Sequence, residues 1–290
     1  VLMRIGFIGL GAMGWHMAGH LTQLDATVMV WNRTQRKAEA HAAQFATVAV
    51  DLDVLVQADF IFSCLPTSAE VEAMIAAHPP QSGSIWIDCT SGVPCSAQQL
   101  SHSLKQRNID FLDAPVSGQT IGAEQGTLTV MIGGDATAFE RAKAVIQAFA
   151  GKIEHVGESG AGFAVKAINN SLMAANLWAL SEGLSVLKAR GVNLEAALAC
   201  INHSSGKSTM SETVMPQKIM NRRFNKTFAL HLLQKDIGIA LDLIAETQQQ
   251  GRLLYAVQQL YAQTDRQTAE HVDFSAAIQV LEQSHQVLLN

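Results

Sequence analysis

The chain has 290 residues, 48% hydrophobic and only 16% charged, so it can bury more core than one small domain needs and is neither disordered nor fibrous in composition. A formal net charge of -5, with basic residues scattered rather than clustered, offers no footprint for nucleic acid. Gly, Asn, Gln or a charge interrupts every apolar run before the roughly 20 residues a membrane span requires, so no membrane partner is expected either.

In chain order, short β-branched runs at residues 4–8, 27–31, 47–50, 59–65, 84–88, 110–112, 128–132 and 152–156 alternate with helical patterns. That alternation predicts a parallel sheet with crossover helices. After Gly162 the pattern changes to long helical stretches, the first nearly unbroken from Phe163 to about Arg190 and closed by Gly191. At 1.5 Å per residue a helix of about 28 residues spans roughly 42 Å, enough to bridge two domains. The expected division is an α/β dinucleotide-binding domain over residues 1–161 and an all-helical domain over 162–290. No Pro-rich linker separates them, so they are expected to meet in a cleft, a preferred place for a ligand.

Cys64, Cys89, Cys95 and Cys200 form no CxxC pair and read as free thiols of a reducing compartment. The chain enters a strand pattern at once, without a basic region and apolar leader, which makes the cytoplasm the expected compartment.

The turn after the first strand carries Gly9, Leu10, Gly11, Ala12, Met13 and Gly14, a GxGxxG pattern between a strand and a helix. Gly9 allows the tight turn, Gly11 lets backbone approach a pyrophosphate, and Gly14 permits close helix packing, with the helix N-terminus facing the phosphates. A merely structural turn would not need three glycines. At the end of the second strand, where an NAD site places an acidic residue for the ribose hydroxyls, the chain has Asn32, Arg33 and Thr34. Arg33 can pair with a 2′-phosphate, with Asn32 and Thr34 donating hydrogen bonds and Arg36 or Lys37 adding positive potential. NADP is therefore expected over NAD, the alternative being a solvated basic helix start.

Further motifs follow in order: Leu65-Pro66, Asp88-Cys-Thr-Ser91 with Pro94, Asp113-Ala-Pro-Val-Ser-Gly118, Gly126-Thr-Leu-Thr, Gly160-Ala-Gly-Phe-Ala-Val-Lys166-Ala-Ile-Asn-Asn170 and Lys235-Asp236. Together with the glycine turn they make nearly the whole chain resemble the β-hydroxyacid dehydrogenase family, which includes 3-hydroxyisobutyrate dehydrogenases and glyoxylate and succinic semialdehyde reductases. The resemblance implies a Rossmann-like domain joined by a long helix to an all-α C-terminal domain, with the site between them. It further implies that Leu65, Pro66 and Ser91 line the nicotinamide ribose region and that Lys235 reaches the cofactor from the helical domain.

Hydride transfer to a carbonyl develops negative charge on oxygen, so the site needs a proton donor that can act as a base in reverse; Lys166 is the candidate. Its neighbours Gly162, Phe163, Ala164, Val165, Ala167 and Ile168 are apolar or small. Burial beside a nicotinamide would disfavour the ammonium and bring the amine toward neutrality. Asn170 shares its helical face and can orient the lysine or bond the substrate hydroxyl, while Gly162, one turn back, is expected to leave room for the ring. The competing reading of Lys166 is a snorkelling side chain on an interdomain helix.

Ser117, Gly118 and Gln119 offer a hydroxyl and consecutive N–H groups that can cradle a substrate carboxylate, or make a plain turn. The family commonly has a glycine where Gln119 stands, which leaves the substrate open among small hydroxyacids, semialdehydes and 2-oxo acids. His16 and His20 sit four apart but lack a third ligand, so no metal is expected.

An imine reductase and a 6-phosphogluconate dehydrogenase-like enzyme are the alternative activities, and an NADP-binding redox sensor is the non-enzymatic one. The expected partners are a small carboxylate-bearing molecule and further copies of the chain, as a dimer or tetramer. The apolar faces at 230–233 and 237–243 are either subunit contacts or ordinary core.

Overall fold

The computed structural model describes residues 2–290, and each of the predicted strand runs forms part of one sheet. The elements are β1 (Met3–Ile8), α1 (Gly14–Leu21), β2 (Ala26–Trp31), α2 (Gln35–Phe45), β3 (Val48–Ala49), α3 (Leu52–Leu55), β4 (Phe60–Ser63), α4 (Ser68–Ala77), β5 (Ile85–Asp88), α5 (Pro94–Lys105) and β6 (Asp110–Asp113). Then come β7 (Val116–Ser117), α6 (Gln119–Gln125), β8 (Leu128–Gly133), α7 (Ala136–Ile146) and β9 (Ala150–Gly157). The strand order is β3-β2-β1-β4-β5-β6-β8-β7, with β9 paired to β8. Its first six strands reproduce the order of a dinucleotide-binding sheet.

The sheet is not parallel throughout, as the alternation had predicted. β8 runs antiparallel to β6 and β7, and β7 is a two-residue strand in a stretch expected to be loop. The reason is length: residues 118–127, between β7 and β8, are fewer than the dozen or more that a parallel crossover needs.

Both faces of the sheet are covered, and side-chain alternation divides the core. Ile5, Phe7, Val28, Val30, Phe62, Ile85, Ile87 and Leu112 point to one side, where Met17, Ala18 and Leu21 of α1 and Phe139, Ala142 and Ile146 of α7 meet them. Ile8, Met29, Ile61, Trp86 and Phe111 point to the other, against Leu55 of α3, Val71 of α4, Leu104 of α5 and Phe163. Burial on both faces explains why the strands read as continuous apolar runs.

At the carboxyl ends of β4 and β5 the core turns polar. Asp88 is buried; its Oδ1 accepts from Ser63 Oγ at 2.9 Å and from Thr90 N at 3.1 Å. Ser63 Oγ in turn accepts from Trp86 Nε1, and Thr90 Oγ1 accepts from Leu65 N. Asp88 Oδ2 has no hydrogen-bond partner among the described residues. Burial pushes the Asp88 acid from 3.8 up to about 6, against the hydrogen bonds of Thr90 and Ser63 and with help from the charge of Asp113.

The chain divides into two compact units, Val1–Lys166 and Ala167–Asn290. Helix α8 (Ala161–Ala189, 29 residues) is continuous, as the pattern predicted, and Gly191 beyond it takes the left-handed φ of +77° that suits a helix end. The second unit contains α9 (Leu194–Asn202), a π-helix (Met210–Met220), α10 (Leu230–Glu246), α11 (Arg252–Tyr261), α12 (Arg266–His271), a 3₁₀ turn (Phe274–Ala277) and α13 (Ile278–His285). Leu177, Trp178 and Leu184 of α8 pack there with Leu194, Met215, Val257, Tyr261 and Ile278. Leu230, Leu233 and Ile237 belong to the same core, so these three residues of α10 pack in the interior of the unit. Lys218, inside the π-helix, is held 2.8 Å from the buried carboxylate of Asp273. No described helix is long and apolar enough to cross a membrane.

The orphaned oxygen of Asp88 gives a signed pH dependence. The native acid titrates at about 6 and the unfolded one at 3.8, so this group's contribution is fully present below about pH 4 and is lost as pH rises through 6, roughly 3 kcal/mol in all. Denaturant unfolding of Asp88→Asn should therefore show a stability advantage over wild type that grows between pH 4 and 6 and levels off above. A difference that stays flat over that window contradicts the assignment.

Candidate active site

Most of the residues singled out from sequence lie on successive strand ends of the first unit, while Lys166 and Asn170 are in α8 and Lys235 is in α10. β1 ends in the glycine turn. Gly9 has φ +97°, and a Cβ there would overlap the Cys64 carbonyl oxygen; a Cβ on Gly14 would overlap the Gly9 carbonyl oxygen. These two glycines are demanded by packing. A Cβ on Gly11 would meet no atom within 4 Å, so packing does not account for Gly11. Gly11 and Ala12 are exposed, Met13 is half-buried, and Leu10 is buried beneath them.

Beside this turn lies the end of β2. Asn32 is half-buried; its Oδ1 accepts from Leu10 N at 3.0 Å and its Nδ2 donates to the Thr34 carbonyl at 3.1 Å. Asn32 thus braces the glycine turn. Arg33, Thr34, Arg36 and Lys37 are exposed. The residues that directly follow β2, Asn32, Arg33 and Thr34, include no acidic side chain.

On the other side of β1, the turn after β4 presents Leu65 and Pro66 before the Thr67–Glu70 capping box of α4. Leu65 N donates to Thr90 Oγ1 at 3.1 Å, so the Leu65-Pro66 turn is tied to the Thr90-Ser91 turn after β5. Thr90 is a contributor that sequence reasoning did not single out. Next in order, β6 leads through Pro115 into Ser117, which pairs with Thr129 in β8, and Gly118, at φ +138°. Gln119 sits at φ +58°. A left-handed conformation costs a residue with a side chain about 1–2 kcal/mol, which explains why glycine suits this position.

The start of α8 is seated against these same strand ends. Asp113, the last residue of β6, accepts from Gly160 N at 2.7 Å and from Phe163 N at 3.0 Å. Gly162 does not leave room for a ring, as its position one turn before Lys166 had suggested. A Cβ there would lie 2.7 Å from the Asp113 carbonyl oxygen and would overlap that of Met131. The glycine lets the helix press onto the sheet. Lys166, one turn further on, is half-buried.

In the second unit, Asn170 and Lys235 converge on Asp236. Asn170 Nδ2 donates to Asp236 Oδ2 at 2.6 Å, Lys235 Nζ lies 3.1 Å from Oδ1, and Asn170 and Asp236 are both buried. The Lys235-Asp236 pair was visible in the sequence, but not the carboxylate's grip on Asn170. His20 donates from Nε2 to the Ala123 and Glu124 carbonyls, 3.0 Å each, and so joins α1 to α6. Among the described residues no group of three or more His, Cys, Asp and Glu side chains is arranged to hold a metal ion.

Two family models match. Residues 4–157 fit the NAD binding domain of 6-phosphogluconate dehydrogenase, and residues 160–281 fit the NAD-binding domain of NADP-dependent 3-hydroxyisobutyrate dehydrogenase. The chain is 34% identical over 287 residues to 2-(hydroxymethyl)glutarate dehydrogenase of Eubacterium barkeri, covering 97% of this chain and 95% of that one. It is 33% identical over 247 residues to the mitochondrial 3-hydroxyisobutyrate dehydrogenase of Drosophila melanogaster, covering 82% and 76%. Among solved structures, the Mycobacterium tuberculosis 3-hydroxyisobutyrate dehydrogenase with L-serine superimposes with a TM-score of 0.87 at 28% identity, covering 97% of this chain and 99% of that one.

The different reasons for the glycines separate experimentally. Gly14→Ala should lower stability by about 1–3 kcal/mol, the usual penalty of overpacking, and weaken dinucleotide binding. Gly11→Ala should leave the melting temperature unchanged and weaken only the binding. Paired thermal melts and cofactor titrations read this out, and equal destabilisation by both variants contradicts it.

Proposed function

The chain belongs to the β-hydroxyacid dehydrogenase family of NAD(P)-dependent oxidoreductases acting on CH–OH groups, and from that premise we propose that it moves a hydride between NADP and a small β-hydroxyacid or the matching semialdehyde or 2-oxo acid, with Lys166 as general acid and base. The observation that supports this reading most is the carboxylate of Asp113. It holds the first turn of α8, three residues before Lys166, and stands at the head of the segment that carries Ser117 and Gly118.

When bound, the nicotinamide supplies the hydride acceptor for oxidation and the hydride donor for reduction. In this reading the glycine turn from Gly9 to Gly14 holds the pyrophosphate, Arg33 and Thr34 the 2′-phosphate, and Leu65, Pro66 and Ser91 the ribose nearer the ring, with Lys235 a further cofactor contact. Ser117, Gly118 and Gln119 fix the substrate carboxylate through a hydroxyl and backbone N–H groups. The Lys166 amine takes the hydroxyl proton as the carbinol carbon gives up its hydride, and the ammonium returns that proton to the carbonyl oxygen in the reverse direction. Asn170, gripped by Asp236, orients the lysine or the hydroxyl. The compounds named for the relatives, 2-(hydroxymethyl)glutarate, 3-hydroxyisobutyrate and L-serine, share a hydroxymethyl group on the carbon that bears a carboxylate. That arrangement suits an amine and an anion cradle held a fixed distance apart.

Two measurements test the reading. Lys166→Ala should lower kcat by about 10²–10⁴-fold while cofactor affinity, followed by titration, stays within about twofold of wild type, inside the scatter of an uninvolved residue; an active Ala variant removes the lysine from this role. Wild type should show a higher kcat/KM with NADPH than with NADH for semialdehyde reduction, and Arg33→Ala should lose most of that preference. Preference for NADH in the wild type overturns the choice of NADP, and imine reduction exceeding aldehyde reduction overturns the substrate class.

A further inference from the structure

Asp113 makes no proton transfer and touches no cofactor in the reading above, yet the molecule is built closely around it. Its side chain is fully buried at the end of β6, where it sits opposite Asp88 of β5 and Gly133 of β8 in the sheet register. A Cβ at Gly133 would lie 2.5 Å from Asp113 Oδ1, and one at Gly162 would lie 2.9 Å from Oδ2. Two glycines on different elements therefore clear the volume that one carboxylate fills.

The carboxylate takes up the backbone donors that a helix leaves unpaired at its start. Gly160 N and Phe163 N donate to Oδ1 and Oδ2, 2.7 and 3.0 Å away, from 47 and 50 residues further along the chain. This is the work of an N-cap, performed by a strand end instead of the preceding residue. Burial pushes the Asp113 acid up, and the N–H groups of Gly160, Phe163 and Gly162 hold it down. The Phe163 ring packs where a Cβ on Gly92 would stand, and Gly160, at φ +94°, lies against Pro94, so the same turn of helix is clamped to the loop after β5.

We propose that Asp113 is a positioning residue for hydride transfer, setting the Lys166 amine and the Ser117-Gly118 carboxylate cradle in one frame. From Asp113 the chain runs four residues to Ser117 on one side. Through its hydrogen bonds it fixes the backbone three residues from Lys166 on the other. A carboxylate with two acceptor oxygens is required for this, because Asn would turn an N–H toward one of the helix donors and leave both unsatisfied. The idea rests on Lys166 being the acid and base, and its test is chosen so that the two can fail separately.

The experiment compares wild type, Asp113→Asn and Lys166→Ala by steady-state kinetics with NADPH and a semialdehyde, by thermal melting, and by NMR of protein carrying ¹³Cε-labelled lysine, with the Lys166 signal assigned from its loss in the Ala variant. Asp113→Asn should lower kcat by about 10²-fold, the effect of a displacement of about 1 Å, leave the KM for NADPH within about twofold, and move the pH titration of the Lys166 signal. A lower melting temperature with unchanged kcat and an unmoved Lys166 titration overturns the proposal and leaves Asp113 a structural cap. If Asp113→Asn does not fold, Asp113→Ser, which keeps a smaller acceptor, takes its place under the same criteria. Failure of both to fold counts against a specific positioning role. Should Lys166→Ala retain turnover, the acid–base reading falls and this proposal with it, whereas an inactive Lys166→Ala beside an Asp113→Asn of unchanged kcat and unmoved Lys166 titration overturns the positioning alone.

Discussion

Asp113 satisfies the first donors of α8 from the end of β6, 50 residues earlier in the chain, and that hydrogen-bonded join ties the start of the helix to the strand end that leads to Ser117. A helix start buried against a sheet would strand its N–H groups; a carboxylate there resolves the difficulty and suits the positive end of the helix dipole. The arrangement demands small residues nearby, and Gly133 and Gly162 supply them.

Around that join the sheet supplies an ordered row of loops. β2, β1, β4, β5 and β6 are neighbours, so the loops after them lie side by side in the same order: Arg33, the glycine turn, Leu65-Pro66, Thr90-Ser91, and the approach to Ser117. Hydrogen bonds between loops keep the row together, from Leu10 to Asn32 and from Leu65 to Thr90. Parallel sheets present ligand-binding loops at their carboxyl ends because every strand there hands over to a helix, and rigid strands make the positions reproducible. Buried polar groups accompany the arrangement. Asp88 holds the ends of β4 and β5 together while one of its oxygens goes unpaired.

Much of this was legible from residues near one another in sequence. The alternation of strands and helices, the glycine turn between β1 and α1, the missing acid after β2 and the unbroken pattern of α8 are local signals, and each has a local cause. What escaped was set by contacts between distant segments. The role of Asp113 depends on donors 47 and 50 residues away, and that of Asp236 on Asn170, 66 residues away. Gly162 illustrates the difference: its small size was plain, but whether it made room for a ligand or for Met131 and Asp113 is decided by the opposite surface. Asn32 was read as a ligand donor because its type and place fit; its hydrogen bonds to Leu10 and Thr34, which brace the glycine turn, were not visible in the sequence. The antiparallel turn of β8 and the π-helix with Pro216 inside it had no periodic signature to betray them.

The claim that ties these features together is that this chain passes hydride between a nicotinamide and the hydroxymethyl carbon of a carboxylate-bearing substrate. Incubating the enzyme and NADP with 3-hydroxy acids deuterated at that carbon, then locating the label by mass spectrometry and NMR, addresses it without reliance on any mutant. Deuterium should appear at C4 of the reduced nicotinamide, on a single face, in step with the aldehyde formed. Cofactor that binds tightly but acquires no label from any of these acids would contradict the account.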